Sequence, residues 1–207
     1  ISQYKNCHLH SDITQSIGKV VIDYSNIDLL SFSAHKFYGL KGVGALIKRK
    51  GINLTTMIHG GHSTTTYRSG TPPLPLIGSL YKSLQLATTN IEERYQHVKE
   101  LNEYLTTKLD NLPNIKVNSN DFSIPHIFNV SILNQSSKQT VRDLEKKEIY
   151  ISNHTACSSN TEKSLAVYSL TKDELLATTC VRISLSHLTS KEDIDKLISA
   201  LREVTNK

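Results

Sequence analysis

All nine glycines of this 207-residue chain fall between Gly18 and Gly78, and none follows in the remainder. Glycine supplies tight turns and close backbone approaches, so a glycine-rich stretch suits strands and loops that alternate quickly. A long glycine-free stretch suits longer periodic elements. The chain is thus expected to fold as two differently built parts.

The apolar patterning agrees. In the first part Val20–Ile22, Leu29–Ser33 and Gly42–Ile47 read as buried strands, followed by a Gly-, His- and Thr-rich loop over 59–71 and a proline break at Pro72-Pro73-Leu74-Pro75. Ile91, Tyr95, Val98, Leu101, Leu105 and Leu109 then recur at three- and four-residue steps, which predicts a long helix with one apolar face. Beyond Pro113, Ile115–Val117, Ile127–Ile132 and Val181–Leu185 read as strands alternating with helices. Thr189-Ser190-Lys191-Glu192 reads as the capping box of a last helix burying Ile194, Leu197, Ile198, Leu201 and Val204. Two α/β units joined by the helix near 91–110 result.

Composition narrows the function classes. With 38% hydrophobic and 21% charged residues, the chain is neither disordered nor collagen-like, and three cysteines do not make a disulfide scaffold. An odd number of cysteines fits free thiols in a reducing, cytoplasmic setting. No apolar run approaches the roughly 18 residues of a membrane span. The net charge of +5 is spread over a mixed surface, with Lys48-Arg49-Lys50 its longest cluster. That argues against a nucleic-acid groove and is compatible with an anionic small ligand. The only methionine is Met57, so Ile1 is not an ordinary start, and the sequence reads as one piece of something longer.

Chemistry-bearing residues gather in the first part. Asp12 ends a short apolar stretch and is followed by Thr14-Gln15. The next long strand ends in Ser33-Ala34-His35-Lys36. Groups at the carboxyl ends of adjacent strands of an open α/β sheet converge on one crevice. A carboxylate, an amide, a hydroxyl, an imidazole and a lysine amine are the types that pyridoxal phosphate requires: an amine for its aldehyde, a carboxylate for its pyridinium nitrogen, donors for its phosphate.

At these residues the sequence resembles a known family. "HSDITQSIGK", "SFSAHKFYGLKGVGALIKRK", "RSGT" and "CVRISLS", with a cysteine in a polar loop between the last two, are similar to the class V aminotransferases, and within them to the NifS-like cysteine desulfurases. The resemblance runs in order through essentially the whole chain and corresponds to the C-terminal half of such an enzyme. It implies part of a fold type I pyridoxal-phosphate transferase: an α/β fold with part of the mixed or parallel sheet of the large cofactor-binding domain over 1–90, a linking helix over 91–112, and a small α+β domain carrying a mobile cysteine loop over 113–207.

By position, the resemblance implies that Lys36 anchors the cofactor and moves the substrate α-proton, and that Asp12 faces the pyridinium nitrogen. Gln15 would bond the phenolic oxygen, and Ser33 and His35 the phosphate. Thr71 would reach the phosphate of a second subunit in a homodimer. Arg182 would hold the substrate carboxylate, a role that the alternation of Val181, Ile183 and Leu185 independently favours by placing Arg182 on the opposite strand face. Cys157, in the polar run 152–160, would be the nucleophile that takes sulfur from L-cysteine as a persulfide, for delivery to an acceptor protein of iron–sulfur assembly or tRNA thiolation. Cys180 and Cys7, in apolar stretches, are expected to be buried. No metal, nucleic acid or membrane enters this reading. The alternatives are a class V aminotransferase or lyase on another amino acid, with Cys157 incidental, and an inactive fragment serving in sulfur transfer.

Overall fold

A computed structural model describes residues 7–61, 65–153 and 163–205. The chain divides into two compact units, Ile1–Glu93 and Arg94–Lys207.

The first unit is built on the five-residue strand β2 (Leu29–Ser33), whose alternate residues Leu30 and Phe32 are buried while Ser31 and Ser33 face the other way. Strand β1 (His10–Asp12) pairs with it in parallel and β3 (Gly44–Lys48) antiparallel, in the order β1-β2-β3. A parallel pair cannot be closed by a hairpin, so residues 13–28 form a crossover. Ile13 and Ile17 of this crossover pack with Leu30, Phe32, Ala34, Phe37 and Ala87.

The crossover is where sequence and structure part. Val20–Ile22 is not a strand: it follows a run of turns, Val21 is 67% exposed, and only Ile22 reaches the apolar cluster. A strand needs a ladder partner, and none of the described strands pairs with this segment. The proline-rich segment is likewise not a break but the start of helix α1 (Leu74–Thr88), with Pro73 at the cap and Pro75 in the first turn, where its missing N–H costs nothing.

Close packing accounts for three of the glycines. A Cβ on Gly18, whose φ is +72°, would stand 2.7 Å from the Ala87 Cβ of α1. One on Gly39 would meet Ala34 and Ser83, both at 2.7 Å, and one on Gly44 would strike the Phe32 carbonyl at 2.6 Å. Gly18, Gly39 and Gly44 therefore let α1, the crossover and the strands approach one another.

Helix α2 (Ile91–Leu109) buries Val98, Leu101, Leu105 and Leu109 in the core of the second unit. There β4 (Ile115–Val117), β5 (Ile127–Ile132) and β6 (Cys180–Ser184) form an antiparallel sheet with β5 central. Phe128, Val130 and Ile132 of β5 and Val181 and Ile183 of β6 share one face. They pack against α2, Leu144 of α3 (Ser137–Glu145), and the buried stripe of α6 (Lys191–Thr205). That stripe contains all five residues expected from the sequence, and each is at most 5% exposed.

The capping box of α6 lies one residue later than the sequence pattern indicated. The Asp193 N–H donates to Ser190 Oγ at 3.1 Å and the Ser190 N–H donates to Asp193 Oδ2 at 3.0 Å. Bonds donated to the carboxylate by the Ser190 N–H first and by its hydroxyl second, the latter at 2.8 Å, hold the Asp193 carboxyl below its ordinary value. The other face of the sheet, which carries Asn129, Ser131 and Arg182, meets α4 (Leu165–Thr171) and α5 (Glu174–Thr179). No helix among the described residues is long and apolar enough to cross a membrane.

Candidate active site

The carboxyl ends of the two parallel strands in the first unit carry Asp12 and Ser33. In register Asp12 lies opposite Ser31, and Ser33 follows two residues on, so both project from the face opposite Leu30 and Phe32. His10 and Ser31 tie the strands on that face, His10 Nε2 to Ser31 Oγ at 3.0 Å. A single 3-10 turn, Ala34–Lys36, leads straight out of β2 and is pinned from below by buried Ala34 and Phe37. His35 and Lys36 are thus presented to solvent at the strand end.

These groups are not used up by the fold. The Ser33 hydroxyl makes no bond to its own turn, and neither His35 nor Lys36 has a side-chain partner among the described residues. Asp12 is exposed, and its Oδ1 accepts from the Thr14 N–H at 2.9 Å. Hydrogen bonds from Thr14, the hydroxyl first and then the backbone N–H, hold its carboxyl below the ordinary aspartate value, so it is an anion throughout the neutral range.

Gln15 lies one turn from Lys19. The Lys19 ammonium donates to the Gln15 backbone carbonyl at 3.0 Å and to Gln15 Oε1 at 3.4 Å. The Gln15 amide nitrogen is left as an available donor. Burial first, and the charge of Lys36 second, push the Lys19 ammonium below its ordinary value, which places the two amines within electrostatic reach. Thr71 is exposed and follows Gly70, whose φ is +103°. Ser69 of the same segment is tied to the Ile58 carbonyl by its N–H and its hydroxyl, both at 3.1 Å.

A covalently bound aldehyde cofactor with a basic ring nitrogen and a phosphate fits this donor set. Lys36 offers a free amine, Asp12 a permanent negative charge, and Ser33 and His35 unspent polar groups at the end of a strand.

The second unit carries Arg182 in the middle of β6. Its backbone pairs with Ser152, and its neighbours Val181 and Ile183 are buried on the core face. The guanidinium has neither a hydrogen-bond partner nor an ion-pair partner among the described residues, and its Nε is buried. It lines a cavity of about 600 Å³ with Asn118, Asn129, Ser164, Leu165 and Leu170. A cationic donor with no partner among the described residues is suited to an anion. Asn118 and Asn129 are polar residues of this cavity that sequence reasoning passed over. The signal was there for Asn129, which interrupts an apolar strand at Ile127-Phe128-Asn129-Val130.

Among the cysteines, Cys157 lies outside the described residues. Cys180 is 1% exposed, as its apolar setting implied. Burial raises its thiol above the ordinary value, partly offset by side-chain hydrogen bonds with Ser164 and Asn129. Cys7 is exposed rather than buried, because it precedes β1, an edge strand whose own residues alternate between exposed and half-buried. A water-soluble thiol reagent is therefore expected to label Cys7 readily in the native protein and to leave Cys180 untouched until denaturant is added. Peptide mapping by mass spectrometry reads this out, and native labelling of both at similar rates would contradict the arrangement.

Residues 1–197 match the family model described as Aminotransferase class-V. The chain is 37% identical over its whole length to a cysteine desulfurase IscS of Buchnera aphidicola, covering 52% of that protein. It is 31% identical over 99% of its length to a NifS/IcsS protein homolog of Lactobacillus delbrueckii, covering 54% of that protein. Among solved structures, a NifS-like protein from Rickettsia africae superposes with a TM-score of 0.84 at 29% identity, over 97% of this chain and 54% of that one. The chain spans about half the length of the curated relatives it matches.

Proposed function

The chain belongs to the aminotransferase class-V family, and from that premise we propose that it carries the cofactor anchor and the substrate-carboxylate site of a pyridoxal-phosphate-dependent cysteine desulfurase. One observation carries the reading: Lys36, an exposed lysine without a partner among the described residues, leaves the end of a strand whose parallel neighbour ends in a carboxylate held ionised, Asp12. The naming of similar relatives as cysteine desulfurases supports the choice of reaction within the family.

Bound pyridoxal phosphate supplies an electron sink that acidifies the substrate α-carbon. The residues of this chain do the rest. Lys36 Nζ holds the cofactor and accepts and returns the α-proton. Asp12 keeps the ring nitrogen protonated. Gln15 donates its amide N–H to the phenolic oxygen, and Ser33 and His35 hold the phosphate, with Thr71 contributing across a homodimer. Arg182 takes the substrate carboxylate on its guanidinium.

Cys157 attacks the sulfur of L-cysteine. The new S–S bond forms as the Cβ–S bond breaks, and the carbon takes up a proton. L-cysteine and the Cys157 thiol thereby become L-alanine and a Cys157 persulfide with no outside oxidant. The persulfide sulfur passes to an acceptor protein of iron–sulfur assembly or tRNA thiolation in the cytoplasm. By domain, residues 1–90 serve the cofactor, 91–112 link, and 113–207 serve the substrate and the sulfur.

The full-length protein is expected to form alanine and bound sulfur in equal amounts from L-cysteine. Losing one charged, buried hydrogen-bonding group in Arg182→Ala should raise KM for L-cysteine by about 10- to 100-fold with a smaller change in kcat. Faster turnover of another amino acid, without bound sulfur, would move the protein to a different class V reaction.

A further inference from the structure

The crossover that leaves β1 carries a second amine, Lys19, whose place is set by the turns before it. The N–H groups of Ser16 and Ile17 donate to the Ile13 carbonyl at 3.0 and 2.9 Å, and those of Lys19 and Val20 to the Ser16 carbonyl at 3.0 and 3.1 Å. Ile13 and Ile17 turn inward to the apolar cluster, which leaves Gln15 and Lys19, one turn apart, together on the outer side. Gly18 fixes the base of Lys19. Its φ is +72°, and a Cβ there would stand 2.7 Å from that of Ala87, so this point of the crossover is seated directly on α1.

From that base the Lys19 side chain reaches back over Gln15 and grips it at two atoms. The ammonium donates to the Gln15 backbone carbonyl at 3.0 Å and to the side-chain oxygen, Oε1, at 3.4 Å. An ammonium has donors and no acceptor, so only the oxygen end of the carboxamide can face it. Which end faces it matters, because a glutamine amide turned end for end keeps its shape while exchanging donor hydrogens for lone pairs. Held by Lys19, Gln15 keeps its NH2 unengaged among the described residues. Released, the amide is free to present either end. The charge of Lys36 is felt at the Lys19 ammonium, so the grip is made close to the strand end that carries Lys36.

We propose that Lys19 is a positioning residue, its donor-only ammonium fixing the Gln15 carboxamide so that an N–H, and not a lone pair, is offered to the phenolic oxygen of the cofactor. This rests on the reading of Gln15 as a contact of pyridoxal phosphate. The task calls for a cation on a stem long enough to span one turn. Methionine has nearly the same length and no donor, and leaves the amide undirected.

The test is a double-mutant cycle on the affinity of the full-length protein for pyridoxal phosphate, with Lys19→Met, Gln15→Met and both together. Lys19→Met and Gln15→Met are each expected to weaken binding by about 3- to 10-fold, the scale of one hydrogen bond. In the Gln15→Met background, Lys19→Met should cost less than about twofold further, since the amide it directs is gone. Lys19→Arg keeps a donor-only cation and should restore the affinity of the unsubstituted protein. A purely structural role gives a different pattern. The bond to the Gln15 backbone carbonyl survives Gln15→Met, so lost stability would weaken binding by the same factor in both backgrounds. A direct pull of the Lys19 charge on an anionic cofactor would do likewise. Equal losses in both backgrounds therefore overturn the role of Lys19, as does full affinity in Lys19→Met. If Gln15→Met by itself leaves the affinity unchanged, the reading of Gln15 fails and the role of Lys19 fails with it.

Discussion

Replacing Lys36 by alanine is expected to abolish covalent retention of pyridoxal phosphate by the full-length protein. Lys36 leaves β2 on a 3-10 turn, with its chain exposed and no carboxylate or carbonyl among the described residues occupying its amine. No lysine lies elsewhere on that turn. Lys19 is nearby but half-buried, its amine already bonded to Gln15, and it cannot substitute without giving up that contact. Borohydride reduction followed by peptide mapping should place the cofactor on Lys36 in the unsubstituted protein and on no residue of Lys36→Ala. Visible absorption of the bound cofactor should disappear with it. Unchanged absorption in that variant would remove the central claim. Asp12→Asn makes a graded companion. Its folded-state pKa is depressed, so the aspartate is ionised above the ordinary carboxylate range and loses charge only as pH falls through the lower folded value. Substitution should therefore weaken turnover evenly across neutral pH, without a new inflection there.

The second large effect concerns Cys157. Cys157→Ala is expected to leave cofactor retention intact and to cut persulfide formation from L-cysteine by about 10⁴-fold or more, the scale on which enzymes lose turnover when a nucleophile is removed. The contrast matters more than the loss. Lys36 and Cys157 act on different steps, so one variant loses cofactor and reaction together and the other loses only sulfur transfer. Sulfide release retained in Cys157→Ala would make this cysteine incidental and favour a lyase. The other thiols do not compete for the role: Cys180 is sealed in the core with its pKa raised by burial, and Cys7, though exposed, lies outside the polar run that resembles the family's cysteine loop.

Much of the fold was legible before any coordinates. The helix faces of 91–109 and 191–205 repeat every three or four residues, and nearly every residue so marked is buried. The strands Leu29–Ser33 and Ile127–Ile132 read correctly because apolar alternation is a local property of the chain. Val20–Ile22 misled for the same reason. Three β-branched residues satisfy local strand propensity, but here they belong to a crossover, and a strand exists only where a partner offers a ladder. Cys7 misled similarly: apolar neighbours in sequence do not bury a residue beside an edge strand.

Of the candidate site, sequence determined residue types and order. A carboxylate, an amide, a hydroxyl, an imidazole and a lysine at two strand ends suffice to specify what kind of cofactor the first unit can hold, since that depends on functional groups and their spacing. Tertiary structure decided which of these groups are free. Strand pairing and the buried Ala34 and Phe37 set the turn that leaves His35 and Lys36 exposed, and short-range bonds from Thr14 hold Asp12 charged while Lys19 occupies the Gln15 oxygen. The glycines changed meaning in the same way. Their segregation is a sequence fact, but only the 2.7 Å approaches to Ala87, Ala34 and Ser83 show that Gly18 and Gly39 serve packing.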